Sequence, residues 1–320
     1  MKLFVADNYN LTQQELDEFR AMGYEITVAR PDQAPSEVCE NHEEMEVALC
    51  EHFYLKAHLG EMPNLRMVQM TVAGLDLMPA VVFETYPNTK FYSGSGTYGV
   101  SLAEWSVGET LQILRQSALF EGYQREHQWK WDGSEQTGEL WGKTVLVLGT
   151  GDIGRACARR YKAFDCTVIG LNTDGRPVQD FDGSCTRDDL PHVLPLCDVV
   201  CVAIPRTDKT LHMLDAAAMS CMKQGAVLVS LSRCKLVNTA AVRRGLESGR
   251  LGALIADVVA EEPLKPDNPL WDMENVYLTP HNSFITDQRY VRLFELVYQN
   301  LKHYALTGKP RDEVDLSKGY

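Results

Sequence analysis

Short apolar runs alternate with amphipathic stretches along most of the chain. In the first hundred residues, apolar runs bounded by polar turns predict strands at Lys2–Ala6, Tyr24–Ala29, Leu65–Thr71 and Phe91–Ser93, with a further element over Glu43–Leu49. Helical spacing predicts helices over Gln13–Ala21 and Ser101–Gln116, the second carrying Leu102, Trp105, Val107, Leu111, Ile113 and Leu114. From Lys143 onward the alternation is sharper. Strands are expected at Val145–Leu148, Thr167–Leu171, Val199–Ala203, Ala226–Ser230, Leu254–Ala256 and Val276–Leu278. Helices are expected around Arg155–Phe164, Ala216–Cys221 and Thr239–Glu247. A last helical stretch, Asp287–Leu306, places Val291, Phe294, Val297 and Leu301 on one side and stops at the breaker Gly308-Lys309-Pro310. Strands alternating with helices predict parallel sheets covered by helices on both faces.

One turn stands out. In Thr144–Gly154, TVLVLGTGDIG, the apolar run gives way to Gly149, Gly151, Asp152, Ile153 and Gly154 and then to helical spacing. Such a strand, glycine turn and helix is the fingerprint of a dinucleotide-binding unit. Gly149 permits the turn, Gly151 leaves room for a pyrophosphate, and Gly154 lets helix and strand pack closely. The helix N-terminus offers free N–H groups to the phosphates. The first hundred residues lack this fingerprint, so they form a second unit that is not the main nucleotide binder. Its loop Val72-Ala73-Gly74 follows a strand, and its small side chains leave backbone N–H groups open to an anion.

Length and composition fit two ordinary domains: 320 residues, 45% hydrophobic and 23% charged. The net charge of -13 argues against a nucleic-acid or anionic-membrane surface. No apolar run is long enough to span a bilayer, and the opening MKLFVADN reads as a strand rather than a signal peptide. The 9 cysteines lack paired metal spacing, so no metal site is expected and reduced, buried thiols are. These features together predict a cytoplasmic protein. Glu104 sits within a partly buried helix and is expected to pair structurally. The segment Glu121–Gly142 is polar, carries Trp129, Trp131 and Trp141, and is long for a loop. An arm over about 116–142, packed on a partner subunit or the other domain, accounts for it.

The end of the second nucleotide-unit strand bears on cofactor choice. An acidic residue there takes the ribose hydroxyls of NAD, and a nearby Arg accommodates the 2′-phosphate of NADP. Asn172 stands at that position, with Thr173 next and Arg176 four residues on. Asp174 pulls the other way. The reading is NAD(P), leaning to NADP.

Three polar groups follow apolar strands in the second half: Arg233, Glu262 and His281. In a doubly wound sheet the strand C-termini converge on the ligand crevice, so distant positions can share one site. Together the three supply what carbonyl reduction needs. His281 donates a proton to the carbonyl oxygen. A neighbouring Glu262 favours the imidazolium and sets the ring tautomer. Arg233 presents a planar fork to a carboxylate and polarises the keto oxygen.

With these residues on the page, the chain resembles the D-isomer-specific 2-hydroxyacid dehydrogenase family over nearly its whole length. The resemblance rests on Ala73-Gly74, Gly96, Ala103-Glu104, Gly149–Gly154, Pro205, Arg233, Asp257-x-x-x-x-Glu262-Pro263, Asn275, Thr279-Pro280-His281, Asn300 and Gly308-Lys309-Pro310. It implies that Arg233, Glu262 and His281 are the catalytic set. It implies that Asp257 lies near the nicotinamide carboxamide, and that Pro205, Thr210, Ser232, His281 and Ser283 line the cofactor. The backbone of Ala73 and Gly74 is implied to hold the substrate carboxylate. The implied fold is α/β, a Rossmann-type dinucleotide-binding inner domain (99–286) and a flavodoxin-like outer domain built from both chain ends (1–98 and 287–320). The implied assembly is a homodimer formed through the inner domain and the arm. One departure is Cys234, where the family usually has Gly; Asn172 is the other.

Val72, Tyr98 and Phe284 suggest a partly apolar substrate pocket. A small anionic 2-keto or 2-hydroxy acid is the expected partner: glyoxylate, hydroxypyruvate, or a branched or aromatic 2-keto acid. Less favoured alternatives are 3-phosphoglycerate, phosphite or formate, and a non-enzymatic nucleotide-sensing protein on the same fold.

Overall fold

The computed structural model describes residues 1–6, 11–74, 78–232, 238–309, 311 and 313–314. The chain divides into two compact units, Met1–Tyr98 with Asp287–Tyr320, and Gly99–Thr286.

In the first unit, strands β1 (Lys2–Ala6), β2 (Glu25–Ala29), β3 (Val47–Cys50), β4 (Met67–Met70) and β5 (Lys90–Tyr92) form one parallel sheet in the order β2-β1-β3-β4-β5. Helices α1 (Gln13–Ala21), α2 (Pro35–Val38), α3 (His52–Ala57) and α4 (Ala80–Thr85) connect them. Strands β3 and β4 are buried at every position, which is why they read as apolar runs rather than alternating ones. The C-terminal helix α11 (Arg289–Thr307) belongs to this unit. Its Leu293, Val297 and Leu301 are buried with Leu3, Val5 and Phe19, and Phe294 stacks on Phe19 at 5.5 Å. Two polar contacts fix its register: the Tyr24 hydroxyl donates to Leu301 O at 2.8 Å, and the buried Asn300 amide donates to Gln69 Oε1 at 2.8 Å.

In the second unit, helices α5 (Gly99–Leu114) and α6 (Ser117–Arg125) precede β6 (Thr144–Leu148), α7 (Asp152–Lys162), β7 (Thr167–Leu171) and β8 (Gly183–Cys185). Helix α8 (Leu190–Val193), β9 (Val199–Val202), α9 (Ala216–Cys221), β10 (Ala226–Ser230), α10 (Thr239–Glu247), β11 (Leu251–Ala256) and β12 (Val276–Leu278) follow. The parallel sheet runs β12-β11-β10-β9-β6-β7-β8. Strand order reverses at β6, which pairs with β7 on one side and β9 on the other. The α/β two-domain class expected from the pattern, Rossmann-type plus a second parallel sheet, is the one found. Helix α5 packs on α7: the Tyr161 hydroxyl meets Ser106 Oγ at 2.8 Å and Thr110 Oγ1 at 3.0 Å. Glu104 is the pairing group expected of it, taking Arg160 at 2.9 Å, with its side chain largely exposed.

Three expectations change. The loop read over Glu121–Gly142 begins inside helix α6, which the pattern hid because none of its residues is fully buried. Gln116, at φ +55°, breaks α5 from α6. Strand β8 was not predicted, since Gly-Ser-Cys offers no apolar run. Helix α7 starts at Asp152 rather than Arg155, immediately after the glycine turn. The described cysteines are all free thiols, most of them buried. Among the described residues no helix is long and apolar enough to cross a membrane.

Candidate active site

The glycine turn sits at the switch point of the second sheet, where ligands bind in open α/β folds. Gly149 has φ +103°, and a Cβ there would lie 2.6 Å from Ala203 O. A Cβ at Gly154 would lie 1.9 Å from Gly149 O, so strand and helix meet backbone to backbone. Nothing lies within 4 Å of the Cβ position at Gly151, which leaves the room a pyrophosphate needs. Helices α9 and α10 have side-chain caps: Asp215 accepts from Ala217 N–H at 2.9 Å, and Asn238 from Ala241 N–H at 2.9 Å. Helix α7 has Gly151 at its cap and no side-chain acceptor. Its first N–H groups are therefore left for an anion. Asp152 opens the helix with its carboxylate beside Gly99, and Ile153 is half-buried. This cradle fits a dinucleotide.

Asn172 follows β7 and is buried. Its amide donates to Arg176 O at 2.9 Å and accepts from Asp174 N–H at 3.3 Å, closing its own turn. Arg176 and Asp174 are exposed and paired at 2.8 Å; Thr173, between Asn172 and Asp174 in the chain, is exposed. Pro205 is exposed, and the Thr210 hydroxyl donates to Pro205 O at 2.8 Å while accepting from Thr207 N–H at 2.8 Å. Ser232 is half-buried and its carbonyl accepts from Ser230 Oγ at 3.2 Å. Arg233 and Cys234 lie outside the described residues.

Beyond β11 and β12 the structure brings Asp257, Glu262, His281 and Ser283 together. His281 Nδ1 meets Glu262 Oε2 at 2.8 Å. An ionised carboxylate only accepts, so Nδ1 is the donor and the pair leaves Nε2 for another partner. The second Glu262 oxygen accepts from Val259 N–H at 3.0 Å, which holds the carboxylate on the strand end. The His281 side chain is 40% exposed, and Phe284 packs edge-on against the ring at 5.9 Å. Asp257, 2% exposed, accepts from Thr279 Oγ1 at 2.6 Å, from Asn282 N–H at 3.0 Å and from both the N–H and the hydroxyl of Ser283. The polar groups of Asp257 and Ser283 thus satisfy each other.

In the first unit, Val72, Ala73 and Gly74 follow β4 half-buried. The Tyr98 hydroxyl donates to Thr71 O, and burial pushes the Tyr98 phenol up to about 12, so it stays a donor at neutral pH. Gly94 N–H donates to Val72 O at 2.7 Å. Gly94 is a residue the sequence reading passed over. A Cβ there would sit 2.5 Å from Thr71 O, so only glycine lets the two loops approach. Its signal was the Ser-Gly-Ser-Gly run at 93–96. A cavity of about 310 Å³ opens in the same unit, lined by Leu49, Thr71, Tyr290 and Phe294 among others.

Residues 107–283 match the family model for the NAD binding domain of D-isomer specific 2-hydroxyacid dehydrogenases. The chain is similar to a glyoxylate reductase of Korarchaeum cryptofilum, 30% identical over 75% of this chain and 73% of that one. A D-isomer specific 2-hydroxyacid dehydrogenase family protein from Aeromonas salmonicida superposes with a TM-score of 0.81 at 27% identity, covering 98% of each chain. A D-isomer specific 2-hydroxyacid dehydrogenase of Xanthobacter autotrophicus, solved with NADPH and MES, does so at 25% identity with a TM-score of 0.81, covering 100% of this chain and 99% of that one. The protein belongs to the D-isomer specific 2-hydroxyacid dehydrogenase family. It is an NAD(P)-dependent oxidoreductase of 2-hydroxy and 2-keto acids.

Proposed function

We propose that the protein is a 2-keto acid reductase that prefers NADPH and acts on glyoxylate, hydroxypyruvate or a close relative. The observation that carries this reading is the His281–Glu262 pair at 2.8 Å. It supplies an accessible, oriented imidazole next to a carboxylate, which is the acid a forming alkoxide needs. The bound nicotinamide supplies the hydride. His281 Nε2 gives its proton to the carbonyl oxygen, and Glu262 holds the ring while it carries charge. Arg233 polarises the carbonyl and pairs with the acid's carboxylate. In the first unit, backbone N–H groups of Ala73 and Gly74, on a loop braced by Tyr98 and Gly94, suit an anion.

The NADPH preference is supported by the uncharged Asn172 at the end of β7 and by Arg176. Asp174, the acidic group nearby, is neutralised by Arg176. A second substrate reading, a branched or aromatic 2-keto acid, is favoured by the first unit's cavity beside Thr71. The test is NADPH and NADH oxidation across a panel of 2-keto acids. The reading expects the highest kcat/KM with NADPH and glyoxylate, hydroxypyruvate or an apolar 2-keto acid. No oxidation with any member would sink it.

A further inference from the structure

His281 stands in the left-handed region at φ +52°. A side chain other than glycine in that region is strained and persists only where its surroundings over-determine it. What over-determines it is Asp257. The Asp257 carbonyl accepts the His281 N–H at 2.9 Å. Its carboxylate accepts from Thr279 Oγ1 at 2.6 Å on one side of His281, and from Asn282 N–H at 3.0 Å and Ser283 N–H at 3.1 Å on the other. Donors before and after the strained residue therefore converge on one buried carboxylate. Each oxygen already has two or more donors, which fills the lone pairs a carboxylate offers.

We infer that Thr279 is a positioning residue for His281. Its hydroxyl, with Asp257, holds the 279–283 turn in the strained form that carries Nδ1 to Glu262. The inference rests on the proposed role of His281 as the proton donor. Remove the hydroxyl, and the upstream arm of the clamp is lost while Asn282 and Ser283 stay bound. The turn then relaxes toward an ordinary φ, and the imidazole leaves its carboxylate.

The test is steady-state kinetics of Thr279→Val, Thr279→Ser and His281→Ala with NADPH and the best 2-keto acid. Thr279→Val keeps the shape and removes the hydroxyl. It is expected to lower kcat roughly 10- to 100-fold, with KM for NADPH within about twofold of wild type. Its solvent deuterium isotope effect on kcat should rise as proton transfer becomes limiting. Thr279→Ser should return most of the lost kcat, which a purely packing role for the methyl would not do. NADPH fluorescence binding reports that the second unit is folded. If Thr279→Val does not fold, Thr279→Ala is read for the same kcat loss at constant KM. Thr279→Val at wild-type kcat, or Thr279→Ser as poor as Thr279→Val, would overturn the clamp while leaving His281 as the acid. Full turnover by His281→Ala would overturn the acid itself, and the clamp with it.

Discussion

His281 Nδ1 lies 2.8 Å from Glu262 Oε2, and the opposite oxygen of that carboxylate is held by the Val259 N–H. One glutamate thus ties the imidazole to the backbone just beyond β11. The consequence is a ring with one nitrogen committed and one free, which is the form a proton donor needs. Replacing His281 by Ala is expected to lower kcat by roughly two to four orders of magnitude while leaving NADPH affinity nearly unchanged. Glu262→Gln keeps a hydrogen-bonding group but loses the charge, so a smaller loss is expected. Stopped-flow or steady-state NADPH oxidation measures both, and wild-type turnover by His281→Ala would remove the proton-transfer role.

The proposed preference for NADPH rests on the loop after β7. Asn172→Asp places a negative charge where a 2′-phosphate would approach, so the NADPH/NADH ratio of kcat/KM should fall about tenfold. Arg176→Ala should move the ratio the same way by removing a cation and releasing Asp174. An unchanged ratio in both variants would place the discriminating contact elsewhere.

The glycine turn has no slack. At Gly154 an added methyl would fall 1.9 Å from Gly149 O, and the contact is backbone on both sides. Gly154→Ala is expected to destabilise the second unit by roughly 1–3 kcal/mol and to weaken NADPH binding. Differential scanning calorimetry with a cofactor titration checks both, and a variant matching wild type in each would contradict the packing described here.

Asp198 gives the second unit a pH-dependent element. Burial pushes its carboxyl up, but its bonds to Lys223 at 2.8 Å and to the Thr144 N–H at 2.9 Å, with the Lys143 charge nearby, outweigh that and hold it below the ordinary carboxylate value. The folded value is depressed, so the charged form stabilises the fold above the unfolded carboxyl's value near ~3.9. That contribution is lost as pH falls through the folded value. Asp198→Asn should cost about 1–3 kcal/mol at neutral pH and much less in strong acid. Urea unfolding at neutral pH and again in acid measures the difference, and an equal penalty at both would rule out the linkage.

The arm after α6 exposes aromatic surface. Trp129 is 96% exposed and Trp131 79% exposed, and large apolar groups left bare on a single chain mark an interaction surface. We expect a homodimer that uses this arm. Replacing both tryptophans with Ala should shift the protein toward monomer in sedimentation velocity, and a wild-type protein that runs as a monomer would remove this expectation.

Much of the fold was readable along the chain because parallel strands buried on both faces leave long apolar runs. Val145–Leu148, Val199–Val202 and Ala226–Ser230 are buried at every position, and each was found by that signal. Where burial is slight, the signal fails. Helix α6 has no fully buried residue and its end was read as loop, and the three-residue β8, which pairs with β7, buries only Cys185. The glycine turn was legible because its spacing reports steric demands that act between near neighbours.

The chain by itself determined where the strands and the glycine turn fall and which polar residues follow strand ends, since local periodicity and turn sterics are short-range. Only the tertiary structure decided how they are held. That Asp257 gathers Thr279, Asn282 and Ser283, that His281 sits at positive φ, and that Gly94 lets one loop reach another all depend on strands lying side by side. Hydrogen bonds reach about 3 Å in space but any distance along the chain, so no pattern of neighbouring residues can announce them.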